Sequence, residues 1–316
     1  MAVYTQVSAE AASALLLRYD VGKLTALKGI AEGVENSNFL VETDRSRFIL
    51  TLYENRVDPA DLPYFHDMLA HLHGKGCRVP RFIEDREGCW LHDIAGRKGC
   101  LIEFLSGVSV SEPGASDAAE VGRALGEMHD ALADFAGQRP NPLGQSAWRP
   151  LSERCDDLAT EALLPGLGER IAKECDYLDA NWPGELPRSA IHADLFPDNV
   201  LILDGRVTGL IDFYFACTDT RAYDLAVTHS AWSFDASNHY CADVGDALVN
   251  GYRGRMPLTK AENEALPLLA RGACLRFLLT RLYDWINTPA GALVSRKDPL
   301  AFLARLDHYS AHGLNI

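Results

Sequence analysis

The sequence predicts an α+β protein in two unequal lobes: a small antiparallel sheet with one helix over residues 1–105, then a larger, mainly helical lobe over 106–316. Three observations carry that expectation. Short runs with period-two features fill much of the stretch before residue 105. Past residue 110 the apolar spacing turns to three and four, the period of a helix with one buried face. Two brief apolar runs around Asp204-Gly205 then interrupt the helices. With 316 residues, 47% of them hydrophobic and 23% charged, the chain can bury a sizeable core and lacks the bias of a disordered or fibrous sequence.

Ser8 precedes Ala-Glu-Ala-Ala-Ser-Ala-Leu-Leu-Leu, an N-cap with an acid in the first turn, so a helix opens the chain and is expected to end near Gly22. Strands are expected at 24–27, 38–42 and 47–52, the last two joined by the polar turn Thr43-Asp44-Arg45-Ser46. Leu62, Phe65, Leu69 and Leu72 recur at helical spacing before Gly74 and Gly76. Strand-like runs follow at 80–85, 89–92 and 100–105, and the connector between lobes falls at about 102–107. Val121, Leu125, Met128, Leu132 and Phe135 then mark one helix face, with Asp117 and Glu120 in its first turn. A Pro/Gly loop at 139–144 leads into further helix to about Asn181, which Trp182-Pro183-Gly184 breaks. The hairpin runs 200–203 and 207–211 come next, and a late helix carries Leu275, Leu278, Leu279 and Leu282 on one face. No internal repeat is visible.

A formal net charge of -14, with scattered basic residues, excludes the electrostatic footprint of a nucleic-acid binder. The excess carboxylates read first as a solubilising surface, secondly as a field favouring a cationic substrate. Eight cysteines include no C-x-x-C pair and no zinc-ligand spacing, so they are expected to be reduced and mostly buried. No run approaches the roughly 18 to 20 apolar residues of a membrane span, and no secretory leader is evident, so a cytoplasmic protein without membrane or nucleic-acid partners is expected.

The chemistry is concentrated in Ile191-His192-Ala193-Asp194-Leu195-Phe196-Pro197-Asp198-Asn199, which fits the H-x-D-x-x-x-x-N loop of phosphoryl-transfer enzymes. Thirteen residues beyond Asn199 stands Asp212. In such a loop Asp194 orients the acceptor hydroxyl, while Asn199 and Asp212 offer the oxygens that Mg²⁺ prefers when it bridges ATP phosphates. The alternative is an accidental spacing in a polar loop. Against it, the strand leaving Asn199 and the strand delivering Asp212 form a hairpin, which brings both residues to one end.

On these residues the chain resembles the aminoglycoside phosphotransferase and choline kinase superfamily, over nearly its whole length. Residues 33–39, 48–54 and 275–285 are most similar to the members that phosphorylate L-homoserine in the bacterial threonine pathway. The resemblance implies a protein-kinase-like fold, with 1–105 as nucleotide-binding lobe and 106–316 as catalytic and substrate lobe, using ATP, Mg²⁺ and a small hydroxyl acceptor. It implies that Gly33, Asn36, Ser37 and Asn38 form the turn over the phosphates, although an ordinary hairpin turn fits the same residues. Thr51 stands where most relatives carry a phosphate-gripping lysine, and the helix after Asp58 offers no glutamate to pair with one. Arg47 shares the face of Thr51 but lies roughly 13 Å along the strand, too far to substitute. Backbone groups of Glu103 and Leu105 are expected to pair with adenine, or equally to belong to an edge strand. Arg276, Arg281 and Asp284 are candidates for the ammonium and carboxylate of homoserine, or else the wet face of an amphipathic helix. Asp224 and His192 are expected to support the loop, and His129 receives no role. Choline, methylthioribose, ketosamine and aminoglycoside acceptors, and a non-catalytic nucleotide-binding module, are the rival readings.

Overall fold

The computed structural model describes residues 5–30, 36–54, 57–288 and 296–314. The chain divides into two compact units, Met1–Ser106 and Gly107–Ile316.

In the first unit, Ser8 Oγ accepts the N–H of Ala11 at 3.2 Å and opens helix α1, Ala9–Leu16. The helix stops six residues short of Gly22, because Arg18 and Tyr19 tighten into bonds to Leu15 and Leu16. Gly22 itself has φ +90°, and a Cβ there would lie 2.2 Å from Asp44 Oδ1. Five strands follow: β1 Leu24–Gly29, β2 Asn36–Thr43, β3 Arg47–Tyr53, β4 His92–Ile94 and β5 Arg97–Glu103, with helix α2, Leu62–Gly74, between β3 and β4. They form one antiparallel sheet in the order β1-β2-β3-β5-β4. Phe48, Leu50 and Leu52 alternate on β3 and join Phe39, Val41, Leu101 and Leu16 in one apolar cluster, the burial expected of a sheet face covered by a helix.

Two expected strands are corrected. Residues 80–85 touch β5 through a single bridge, Phe82 to Ile102, because Pro80 has no N–H to donate and Asp85 turns the chain away. Asp85 Oδ1 accepts the N–H groups of Glu87 and Cys89, both at 2.9 Å, so 89–91 are held in that turn and the strand begins only at His92.

The second unit holds helices α3 Ala115–Ala131, α4 Gln145–Glu153, α5 Asp157–Leu163, α6 Leu167–Asn181, α7 Arg221–Trp232, α8 Ala242–Arg255, α9 Lys260–Asn287 and α10 Leu300–His312. The expected helix to Asn181 is therefore three, restarted by the Asp156 cap on Ala159 N–H and by Gly166 at φ +77°. Two strand pairs interrupt the helices: β6 Arg188–Ile191 with β9 Cys217–Thr220, and the hairpin β7 Val200–Leu203 with β8 Arg206–Leu210. Asp204 and Gly205 both take positive φ, the geometry of the tight hairpin turn that Asp-Gly favours. From Ala222 to Trp232 every residue of α7 is buried, and α9 packs against α7, α10 and α4. These two apolar helices form the core on which the loop after β6 rests. Among the described residues no helix is long and apolar enough to cross a membrane, and all eight cysteines are free.

Candidate active site

The loop after β6 is fixed from below by one carboxylate. Asp224, fully buried on α7, accepts the N–H of His192 at 2.8 Å through Oδ2 and the N–H of Ala193 at 2.7 Å through Oδ1. His129 on α3 donates from Nε2 to the same Oδ2 at 3.0 Å, and its Nδ1 meets the Tyr252 hydroxyl of α8 at 2.9 Å. Burial alone would raise the Asp224 pKa. The bond from His129, the nearby His192 and the backbone N–H groups outweigh it and hold the carboxyl below its usual range. His129, given no role from sequence, is thus a brace of the loop.

His192 then ties the loop to Ile211, the residue between β8 and Asp212. Its Nδ1 accepts the N–H of Asp194 at 3.2 Å, so Nε2 bears the proton and donates to the carbonyl of Ile211 at 2.9 Å. Burial keeps the ring pKa depressed and the imidazole neutral, the form this pair of bonds requires. Ala193, between His192 and Asp194, sits at φ +62°. Its N–H is taken by Asp224 and its carbonyl by Arg276 Nη1, so the unusual backbone is held at both ends.

Asp194 is left half-buried, its side chain 19% exposed, with Arg276 Nη2 4.0 Å from Oδ1. Asn199, in the 3₁₀ turn Pro197–Asn199, donates Nδ2 to the Asp194 carbonyl at 2.7 Å and to Oδ2 at 3.3 Å. That commitment leaves the amide oxygen as the group to offer a cation. Ile211 donates its N–H to the Asn199 carbonyl at 3.0 Å, next to the Val200–Leu210 pair. Asn199 and Asp212 therefore stand at the same open end of the β7–β8 hairpin. Asp212 is exposed and has φ +65°, a left-handed turn that takes the chain out of the strand. Among the described residues no three His, Cys, Asp or Glu side chains form a ready-made metal cluster. Two protein oxygens at one end of a hairpin would suit Mg²⁺ completed by phosphate and water.

The other candidates divide. Gly33 lies outside the described residues. Asn38 Oδ1 accepts the Thr51 hydroxyl at 2.7 Å, its register partner across β2 and β3, so the threonine is buried against a neighbour. Ser37 is fully buried and donates to Glu54 at 2.7 Å, and Asn36 is buried with its Oδ1 unbonded among the described residues. Arg97 Nε lies 3.1 Å from Glu54 Oε2. An ion pair thus stands beside the end of β3, with its cation supplied by β5 and its carboxylate by Glu54, whereas the usual pair would draw its cation from β3 and its carboxylate from the following helix. Arg47 stacks on Phe104 at 4.2 Å. The Glu103 N–H is donated to the Arg81 carbonyl at 2.8 Å, so any pairing by Glu103 falls to its carbonyl, while Leu105 lies just past β5.

Of the α9 candidates, Arg276 is 2% exposed and belongs under the loop rather than in an open pocket. Arg281 is half-buried, donates to the Asp298 carbonyl at 3.2 Å and faces Phe302 at 4.5 Å. Asp284 sits in the last turns, where its carbonyl accepts from Thr288. Trp232 Nε1 donates to the Leu195 carbonyl at 2.9 Å, a further support that no local sequence signal marks.

Residues 26–258 match the phosphotransferase enzyme family. A homoserine kinase of Xanthobacter autotrophicus is 52% identical over 311 residues, covering 98% of this chain and 97% of the relative. A homoserine kinase of Zymomonas mobilis is 49% identical over 315 residues, 99% and 98% of the two chains. Among solved structures, the amicoumacin kinase hAmiN in complex with AMP-PNP, Ca²⁺ and Ami aligns with a TM-score of 0.75 at 15% identity, over 98% of this chain and 95% of that one. A microcompartment-associated aminopropanol kinase aligns with a TM-score of 0.65 at 21% identity, over 98% and 99%. At those identities the two structures speak to the fold alone, and the kinase-like α+β fold expected from the sequence is the fold found.

Proposed function

The chain belongs to the phosphotransferase enzyme family, and from that premise we propose that it transfers the γ-phosphoryl group of ATP to the hydroxyl of L-homoserine, yielding O-phospho-L-homoserine for threonine biosynthesis. The acceptor follows from identity near one half with homoserine kinases along almost the entire chain, which is the observation that carries the reading.

Asp194 is the group we assign to orient the acceptor hydroxyl and take its proton as the oxygen attacks phosphorus. Its anchored backbone supports that role, because a carboxylate held in place loses little freedom when the substrate arrives. Asn199 and Asp212 are the residues that would hold Mg²⁺. When bound, the ion would offset charge on the β- and γ-phosphates. The neutral His192 ties the loop to the residue before Asp212, which supports assigning the three oxygen donors to one site. Backbone groups of Glu103 and Leu105 are proposed for adenine. The eight free cysteines accord with a cytoplasmic enzyme.

An acceptor panel in a coupled ADP-release assay, run with and without Mg²⁺, tests the proposal. L-homoserine should give the largest kcat/KM, and removal of Mg²⁺ should abolish turnover. A larger kcat/KM for choline, methylthioribose, a ketosamine or an aminoglycoside would refute the assigned acceptor.

A further inference from the structure

Homoserine carries a carboxylate that must be recognised if the enzyme is to prefer it over other small alcohols. Arg276 is committed to the Ala193 carbonyl, so the recognition falls elsewhere. Beside the catalytic loop, two guanidiniums share one aromatic ring: Arg281 Cζ lies 4.5 Å and Arg305 Cζ 4.7 Å from the centroid of Phe302. Both side chains are half-buried. Arg281 gives Nη1 to the Asp298 carbonyl, while Arg305 gives Nη1 to the Ser230 carbonyl at 2.7 Å and Nε to Asn238 Oδ1 at 3.4 Å. Among the described residues neither makes an ion pair. Arg149, Arg170, Arg221 and Arg271 of the same unit each hold a carboxylate, whereas these two meet at one ring with neutral partners.

Two like charges held against one ring in a partly dry setting repel, and their own backbone and amide partners cannot neutralise them. Burial, then the charge of Arg305, pulls the Arg281 pKa down to about 10, against the opposing pull of Asp194, Asp198 and Asp298. The guanidinium is still cationic at neutral pH. The ring of Phe196, in the loop that carries Asp194, fixes the location: Arg281 Cζ lies 5.9 Å from its centroid, and Phe302 lies 6.0 Å from the same ring. A guanidinium fork matches a carboxylate in shape and donor number, and an arriving anion would relieve the repulsion.

We propose that Arg281 and Arg305 form the subsite for the carboxylate of an amino-acid acceptor, holding it beside Phe302 while the acceptor hydroxyl faces Asp194. The assignment rests on the homoserine reading above. It makes Arg305, which no sequence signal singles out, a determinant of specificity.

The test compares L-homoserine with 3-aminopropan-1-ol, the same molecule without its carboxylate, at saturating ATP. Wild-type enzyme should favour homoserine by roughly 100-fold or more in kcat/KM, because a site built around a charged partner rejects the analogue that lacks it. Arg281→Gln and Arg305→Gln should each raise the homoserine KM by roughly 10- to 100-fold. Neither should change kcat/KM for 3-aminopropan-1-ol or KM for ATP by more than about threefold, so the preference collapses. Arg281→Lys, which keeps the charge without the fork, should fall between. Equal losses for both acceptors in the glutamine variants would make the arginines structural and overturn the subsite. Because Arg305→Gln also removes bonds to Ser230 and Asn238, the wild-type comparison stands independently: phosphorylation of homoserine without discrimination against 3-aminopropan-1-ol overturns the subsite and leaves the function intact. Absence of homoserine phosphorylation overturns both.

Discussion

Three hydrogen bonds converge on the Asp224 carboxylate, from His129 Nε2 and from the N–H groups of His192 and Ala193. Asn at this position would keep the shape but turn one acceptor oxygen into a donor facing donors. Asp224→Asn should therefore lower stability by about 3 kcal/mol in urea denaturation, and kcat should fall with it as Ala193 and Asp194 relax. Asp194→Asn should separate these effects. Asparagine keeps the shape and can still accept from Asn199 Nδ2 through its oxygen, so stability should change by less than about 1 kcal/mol while kcat falls roughly 10²- to 10⁴-fold with ATP affinity retained. Unchanged kcat would remove Asp194 from the mechanism. What was legible at this scale is what chemistry compresses into one loop: His192, Asp194 and Asn199 lie within eight residues, and hairpin logic adds Asp212. The braces were not legible. His129 reaches Asp224 across 95 positions and Arg276 reaches Ala193 across 83, and neither residue has a local pattern that announces its partner.

The braces of Asp224 come from α3 and α8, and these helices cross at glycine. A Cβ on Gly122 would lie 1.9 Å from the Leu248 carbonyl oxygen, and one on Gly251 would lie 2.2 Å from that of Ala119. Both obstacles are backbone, so only separation of the helices could relieve the clash. Gly122→Ala should thus destabilise by about 3 kcal/mol, the upper part of the usual overpacking range, and should depress kcat because His129 and Tyr252 move apart. Gly254, on the same α8, has nothing within 4 Å of its Cβ position. Gly254→Ala should stabilise by about 0.5 to 1 kcal/mol through reduced freedom of the unfolded chain. Urea midpoints of the two variants moving in the same direction would count against this view of the crossing. Long helices and the β2–β3 and β7–β8 hairpins were legible because their periods repeat over several residues. The pair β6–β9 was not, since each strand has only four residues, β9 is Cys-Thr-Asp-Thr, and its partner lies beyond another hairpin.

At the scale of the molecule, pH reads out how many titratable groups the fold holds in their neutral form. Burial depresses the pKa of His192, and burial with the nearby His308 takes His229 down to about 3. In the unfolded chain both would titrate near 6.5. Below that value the unfolded state binds protons that the native state refuses, so stability falls as pH drops, by roughly 1.4 kcal/mol per pH unit for each histidine. On the alkaline side burial lifts the thiols of Cys100 and Cys217 to about 12, and those of Cys155 and Cys175 to about 11. Unfolded thiols ionise near 8.5 while these stay protonated, so the stability they lend is complete below that pH and declines above it. Urea midpoints should therefore form a plateau between about pH 6.5 and 8.5 and fall on both flanks. His229→Gln is the decisive variant. It sacrifices the bond to the Tyr309 hydroxyl and lowers the plateau, yet it should remove one histidine proton from the acid slope between about pH 4.5 and 6.5. An acid slope identical to wild type would mean that the imidazole of His229 does not stay neutral inside α7.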